Sequence, residues 1–284
     1  MSEAGKKSGT GLRVVSALVL LPVVLFLCWW GGWPFRGLIL VVAAICGWEF
    51  GSIALKEAPA TLRWVTILGS VALPLYVDLW AGEALVAREG LLIACWTVVG
   101  LLSLAVFGAR EDLKALPGQA GMAVLGIVYV GGLFAVLVHV RGFGLWWLVL
   151  TMAVTWLNDT GAYFTGRAFG KHPLSRFVSP KKTWEGFAGG VVASIAGAFL
   201  VGWLAGALPM IAPEPIGLSV PLLLLLGVLA GFLGPVGDLA ESLFKRAYGV
   251  KDSGKLIPGH GGFLDRIDAF LFNAVLVWTF ALLT

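Results

Sequence analysis

Charge is scarce in this chain: only 13% of its 284 residues are Asp, Glu, Lys or Arg, while 59% are hydrophobic. An ordinary soluble domain carries about 25% charged residues, so a soluble globular fold is excluded and the composition is that of an integral membrane protein. Cysteine is nearly absent. Cys28, Cys46 and Cys95 each lie in an apolar run without partner spacing, which removes a disulfide framework and a thiolate metal centre from consideration. The chain has three histidines, His139, His172 and His260; the first two have no supporting neighbours in sequence, and so few make a zinc site improbable. No Ser-His-Asp order or Gly-x-Ser-x-Gly elbow occurs, so serine hydrolase chemistry has no footing. Gly249 to Lys255 fits G-x-x-x-x-G-K, but Leu256 stands where Ser or Thr should hold a metal, and the run follows a membrane helix instead of a strand. That excludes a P-loop and leaves a Gly- and Lys-rich turn able to bind phosphate.

What is abundant is glycine, with 39 residues, which suits close helix packing in lipid. Apolar windows long enough to cross a bilayer run over 14–33, 37–55, 65–81, 90–107, 120–140, 144–166, 186–208, 219–244 and 262–283. The polar tail Met1 to Arg13 with Lys6 and Lys7 has the look of a secretory signal. The run from Val14 is nevertheless long for a signal core and ends on Trp-Trp-Gly-Gly-Trp-Pro instead of small residues, so a first membrane helix is predicted. With the amino terminus inside, only Arg36, Arg88 and Arg141 fall outside, leaving seventeen of the 20 Lys and Arg on the cytoplasmic side. This bias predicts an all-α polytopic protein of about nine transmembrane helices, amino terminus cytoplasmic and carboxyl terminus outside. It forms one membrane domain: a tail 1–13, a plain front part 14–140 with helices one to five, and a chemical back part 141–284 with helices six to nine and two basic cytoplasmic loops.

Four carboxylates of the back part share a depth. Asp159 lies eight residues before Arg167 and Asp238 seven before Lys245; at ~1.5 Å per residue each sits about 10 Å below the cytoplasmic boundary. Asp265 and Asp268, just past Gly262, fall in the same layer. Asp238, Glu241, Ser242 and Lys245 recur at i, i+3, i+4 and i+7, on one helical face, and Asp265 and Asp268 share another. Two acidic faces beneath a basic loop suit a hard divalent cation shared with phosphates; the same acids would also serve as structural bridges to Lys245, Lys251 and Arg266. In the front part, Glu49 lies toward the cytoplasmic half of its helix, within reach of this layer, and Asp78 reads as interfacial.

The loop from Gly166 to Gly186 carries Arg167, Lys171, Arg176, Lys181 and Lys182. Lys171 and Arg176 read equally well as a topology signal or a contact with anionic lipid. Ser179, Lys181, Lys182 and Thr183 stand immediately before a helix start, where free N–H groups favour anions, and read as a phosphate site. His260, between two glycines, is a base, a substrate donor or a polar loop residue; the sequence leaves these open.

The stretch Ser242 to Asp268 has the form S-x-φ-K-R-x₄-K-D-x-small-x₂-φ-P-x-H-G-G-φ-x-D-R-φ-D, with φ apolar. In this it resembles the phosphatidate cytidylyltransferases, or CDP-diacylglycerol synthases. The resemblance extends to Gly237–Ser242, Asn158–Tyr163 and Ser179–Gly186; in the front part it is only general. It implies transfer of a cytidylyl group from CTP to phosphatidic acid, giving CDP-diacylglycerol and pyrophosphate in phospholipid biosynthesis, with Mg²⁺ required as one or two ions and a second metal or a monovalent cation as an option. On this basis Asp238, Asp265, Asp268, Lys245 and His260 form the expected catalytic set, with Asp238, Asp265 and Asp268 as metal ligands. Substrate binding falls to Ser179, Lys181, Lys182, Thr183, Asp159, Tyr163, Ser242, Arg246, Lys251, Asp252, Lys255 and Arg266. The partners expected are CTP, phosphatidic acid and membrane lipid, with a homodimer and no nucleic acid, in a bacterial inner membrane with the active site facing the cytoplasm. The alternatives are a CTP-dependent kinase of a polyprenol-type lipid, which would need a base such as His260, and an ion-coupled transporter, which would place its acids near the midplane between repeats.

Overall fold

The computed structural model describes residues 18–80, 114–256 and 261–284. The tail 1–13, the window 90–107, Cys95 and His260 lie outside the described residues. The chain divides into two compact units, Met1–Val138 with Asp252–Leu264, and His139–Lys251 with Asp265–Thr284. The chain is mostly helical, and each of the eight remaining windows holds a helix. Among the described residues five of these helices are long and apolar enough to cross a membrane.

In the first unit α1 (Leu18–Trp30) and α2 (Gly32–Ala54) are separated by a glycine break, with φ of 71° at Gly31 and 52° at Gly32. This left-handed backbone is accessible to glycine at little cost, which explains why the first helix stops before Trp33. Pro34 does not delay α2 to the expected Gly37, because the first turn needs no intrahelical N–H. α3 (Ala60–Trp80) contains Pro74, which removes the helical donor to the Ser70 carbonyl. α4 (Leu116–Gly142) contains a π segment, Ile127–Gly132. A Cβ at Gly131 would lie 2.9 Å from Ser70 Cα and 3.0 Å from its carbonyl oxygen, so the π segment rests on bare α3 backbone at that point. Leu55, Ala58, Leu62, Ala123 and Ile127 form a buried apolar cluster. Asp78, expected at an interface, pairs with Arg36 at 2.9 Å.

The second unit begins with the last turn of α4 and continues through α5 (Leu145–Phe169), α6 (Trp184–Ala207), α7 (Val220–Ala247) and most of α8 (Leu264–Ala281). Here the helical chain carries one element that the all-α expectation did not include. The basic loop folds into an antiparallel hairpin of β1 (Pro173–Ser175) and β2 (Ser179–Thr183), pairing Pro173 with Thr183 and Ser175 with Ser179. Its polar sequence has no apolar alternation to betray a strand. The helices approach one another through glycine: a Cβ at Gly161 of α5 would stand 2.7 Å from the Gly189 carbonyl of α6, and one at Gly227 of α7 would stand 2.7 Å from Ile195 Cα of α6. Gly237 brings α7 equally close to the Asp268 carbonyl of α8.

Where backbones meet without side chains, an added methyl has nowhere to go. Gly161→Ala is expected to destabilise the protein by about 1–3 kcal/mol, read as a lower melting temperature in detergent. Gly206→Ala, whose new Cβ would meet nothing within 4 Å, should leave that temperature unchanged.

Candidate active site

The site is built around a second proline. Pro235 lies inside α7 and offers no N–H to the Gly231 carbonyl one turn earlier. That carbonyl accepts a hydrogen bond from Nδ2 of buried Asn158 on α5 at 3.2 Å. Nearby, Nδ2 of buried Asn273 on α8 donates to Thr155 Oγ1 at 2.9 Å, and this hydroxyl donates to the Thr151 carbonyl at 2.8 Å. Two buried amides thus tie α5 to α7 and to α8. Asp159 follows Asn158 directly, and Asp238 stands three residues past Pro235. Both carboxylates line a cavity of roughly 490 Å³, together with Asn158 and Pro235.

Beside these acids the cavity receives Tyr163 and Arg167 from α5, and Lys181, Lys182 and Thr183 from β2. The Arg167 guanidinium donates to the Tyr163 hydroxyl at 3.2 Å. Lys182 Nζ lies 2.7 Å from Asp238 Oδ2, and Ser242 Oγ donates to Asp238 Oδ1 at 3.3 Å. Asp238 is close enough to Asp159 and to Asp268 for their like charges to act on one another, and Arg266 is close enough to attract Asp159. α5, α7 and α8 thus bring Asp159 and Asp268 within reach of the charge of Asp238.

Lys245 turns inward. It is buried, its Nζ donates to Asp265 Oδ1 at 2.5 Å, and it also forms an ion pair with Glu241 one turn back. The spacing of 238, 241, 242 and 245 on one face is realised as two i,i+4 contacts, Asp238–Ser242 and Glu241–Lys245. Asp265 thus shares its carboxylate with Lys245, and the bridge reading of these acids describes this part of the cluster.

The hairpin is fastened by Thr183, which the sequence offered as a phosphate contact, and by Glu185, which it did not single out. Thr183 caps α6, its Oγ1 accepting from Gly186 N at 3.1 Å. That helix N–H, expected to be open to an anion, is taken. Glu185 Oε2 accepts from Lys171 N at 3.1 Å and His172 N at 3.3 Å, and its Oε1 lies 2.6 Å from His172 Nδ1. His172, without a partner in sequence, is thus held across the hairpin base. His139 stacks on Trp278, with centroids 5.8 Å apart.

The model of the cytidylyltransferase family matches residues 11–284. The chain belongs to the cytidylyltransferase family. Among its relatives, a phosphatidate cytidylyltransferase of Brucella suis biovar 1 (strain 1330) is 34% identical over 276 residues, covering 94% of this chain and 92% of the relative. One of Staphylococcus epidermidis (strain ATCC 12228 / FDA PCI 1200) is 33% identical over 276 residues, covering 94% and 95%. A shorter match of 154 residues, to the phosphatidate cytidylyltransferase of Staphylococcus saprophyticus, reaches 43% identity over 54% of this chain and 56% of the relative.

The residues of this cytidylyltransferase that sequence reasoning assigned to its site take different stations. Asp159, Tyr163, Lys181, Lys182, Thr183 and Asp238 line the cavity. Ser242 supports Asp238. Arg246 Nη1 donates to the Val250 carbonyl at 3.0 Å, closing the turn after α7. Ser179 sits at the start of β2, paired with Ser175 and away from the cavity lining. Lys251 is exposed, and Asp252 and Lys255 belong to the segment that joins the first unit. Removing the clamp of Glu185 should free the hairpin: Glu185→Ala is expected to raise trypsin cleavage at Arg176, Lys181 and Lys182 about tenfold, since the base of the hairpin loses the acceptor of two backbone N–H groups and the partner of His172. Timed gel analysis of folded protein checks it.

Proposed function

We propose that the chain transfers the cytidylyl group of CTP to the phosphate of phosphatidic acid, yielding CDP-diacylglycerol and pyrophosphate. The observation that carries this reading is the cavity, which sets Arg167, Lys181 and Lys182 against Asp159 and Asp238 in a chain whose relatives are named phosphatidate cytidylyltransferases. A triphosphate needs cations around it, and carboxylates bring the metal that nucleotides carry.

The lipid phosphate has a second pKa of about 6, so at neutral pH it is largely dianionic and no general base is needed. One of its oxygens attacks the α-phosphorus of CTP. As that P–O bond forms, the bond from the α-phosphorus to the oxygen bridging the β-phosphate breaks, and pyrophosphate leaves with the electron pair. Lys181 and Lys182 neutralise the leaving group. Asp238 holds the Lys182 ammonium in place, and Lys245 holds Glu241 and Asp265.

Asp238, Asp265 and Asp268 would hold Mg²⁺, as one or two ions. The donors fit this hard cation, which commonly takes one or two carboxylates and completes its shell with substrate phosphates and water. Among the described residues no three His, Cys, Asp or Glu side chains are drawn into a cage of their own, so substrate phosphates and water would supply the rest of the shell. When bound, the ion supplies charge neutralisation on the phosphates.

The same reading takes nine membrane crossings with the amino terminus cytoplasmic, supported by the seventeen-to-three distribution of basic residues, and a site at the cytoplasmic face of a bacterial inner membrane, with a homodimer as the expected assembly. Aqueous CTP and inner-leaflet lipid would then meet without either leaving its phase.

Incubating folded, purified protein with labelled CTP, phosphatidic acid and Mg²⁺ should give a CDP-lipid and pyrophosphate. CDP with a phosphorylated lipid would indicate a kinase instead, and neither product would sink the proposal. Asp238→Asn should lower kcat about 10²-fold, and Lys181→Ala should raise KM for CTP about tenfold, the loss expected of one phosphate contact. Chelation of Mg²⁺ should abolish turnover, and its return should restore it.

A further inference from the structure

The first unit contains a charge that the proposed chemistry does not use. Glu49 lies in α2, a helix fit to cross the membrane, and is only 4% exposed. A carboxylate in such a place is costly unless its oxygens are fully answered. Three donors answer it: Ser253 Oγ reaches Oε2 at 3.1 Å, the Phe263 N–H reaches Oε1 at 3.1 Å, and the Leu264 N–H reaches Oε2 at 2.9 Å. The surroundings are cut to its shape. A Cβ at Gly262 would stand 2.6 Å from both carboxylate oxygens, and one at Gly254 would overlap Oε1. Three small residues of the signature, Ser253, Gly254 and Gly262, therefore form a socket for a side chain more than 200 residues away in sequence.

The socket lies at a consequential point. Leu264 is the first residue of α8, and the first N–H groups of a helix have no intrahelical acceptor and carry its positive end. Glu49 is thus the cap of α8, supplied from another helix, because no Ser, Thr, Asp or Asn precedes Leu264 closely enough to do so. Asp265 comes one residue after the capped amide and Asp268 four after it. The direction in which α8 sets out fixes where those carboxylates are presented.

We infer that Glu49 is a positioning residue for the transfer: it ties Ser253 to Phe263 and Leu264 and so holds the first turn of α8, the turn that carries Asp265 and leads into Asp268. It acts through α8, not on the substrate. The role rests on the function proposed above, and a displacement of about 1 Å at a reacting centre is enough for a 10²-fold loss of rate.

Glu49→Gln keeps the size of the side chain and replaces one acceptor with a donor that opposes the N–H groups it must meet. In folded variant protein, kcat for CDP-lipid formation should fall about 10²-fold, with KM for CTP within about threefold of the parent, because Lys181, Lys182 and Arg167 are untouched. Amide hydrogen exchange of the peptide containing Phe263 and Leu264 should accelerate, and that of the 173–183 hairpin should not. A parent-like kcat per folded molecule, or unchanged exchange at Phe263 and Leu264, would overturn the inference; a lower melting temperature with normal kcat would make Glu49 structural only. If Glu49→Gln fails to fold, Ser253→Ala removes one donor and leaves the carboxylate, and the same two measurements decide, with an expected drop in kcat of about tenfold. Should the parent make no CDP-lipid, the functional reading fails, while the exchange experiment still decides whether Glu49 holds the start of α8.

Discussion

A charge or a bare peptide group within the membrane must be answered by another group of the same chain, because hydrocarbon offers none. The polar architecture follows from this requirement. Lys245 is answered by Glu241 and Asp265, and Glu49 by a hydroxyl and two backbone amides, while in the cavity Asp238 is answered by Lys182 and Ser242. Each answer also fixes a direction. A buried ion pair adds little net stability compared with apolar packing, but it leaves its members only one arrangement, and a phosphoryl-transfer site needs that arrangement set in advance.

The prolines work by the same rule. Each removes an N–H from its helix and leaves a carbonyl to be accommodated. At Pro74 the Ser70 carbonyl is approached by Gly131 of the π segment; at Pro235 the Gly231 carbonyl is taken by Asn158. The second case has chemical value, since the residue after Asn158 and the third after Pro235 are cavity carboxylates. A helix defect thereby becomes a registration mark between α5 and α7.

Much of this was legible in sequence wherever the signal was periodic or compositional. Apolar windows located the eight described helices, helical spacing put Asp238, Glu241, Ser242 and Lys245 on one face, and the signature picked out the acids of α8. Illegible features depend on partners distant in the chain. Nothing in the apolar context of Glu49 tells that its acceptors are aimed at residues 253, 263 and 264. Asn158 and Asn273 look like ordinary polar residues of a membrane helix until Pro235 is seen to orphan a carbonyl. The hairpin was invisible because its strands are short and polar on both faces, and its anchor, Glu185, reads as a routine first-turn acid of a helix.

The junction of β2 and α6 has a thermodynamic consequence. β2 ends at Thr183 and α6 begins at Trp184 with no linker between them, and Glu185 ties the far strand to the same turn. Lys181 and Lys182 therefore stand on a backbone without slack. Basic groups on a loose loop would surrender conformational freedom each time a polyanion arrived, weakening capture by the cost of ordering them. Here the backbone share of that loss is settled during folding, so an arriving polyanion would have only the lysine side chains left to order.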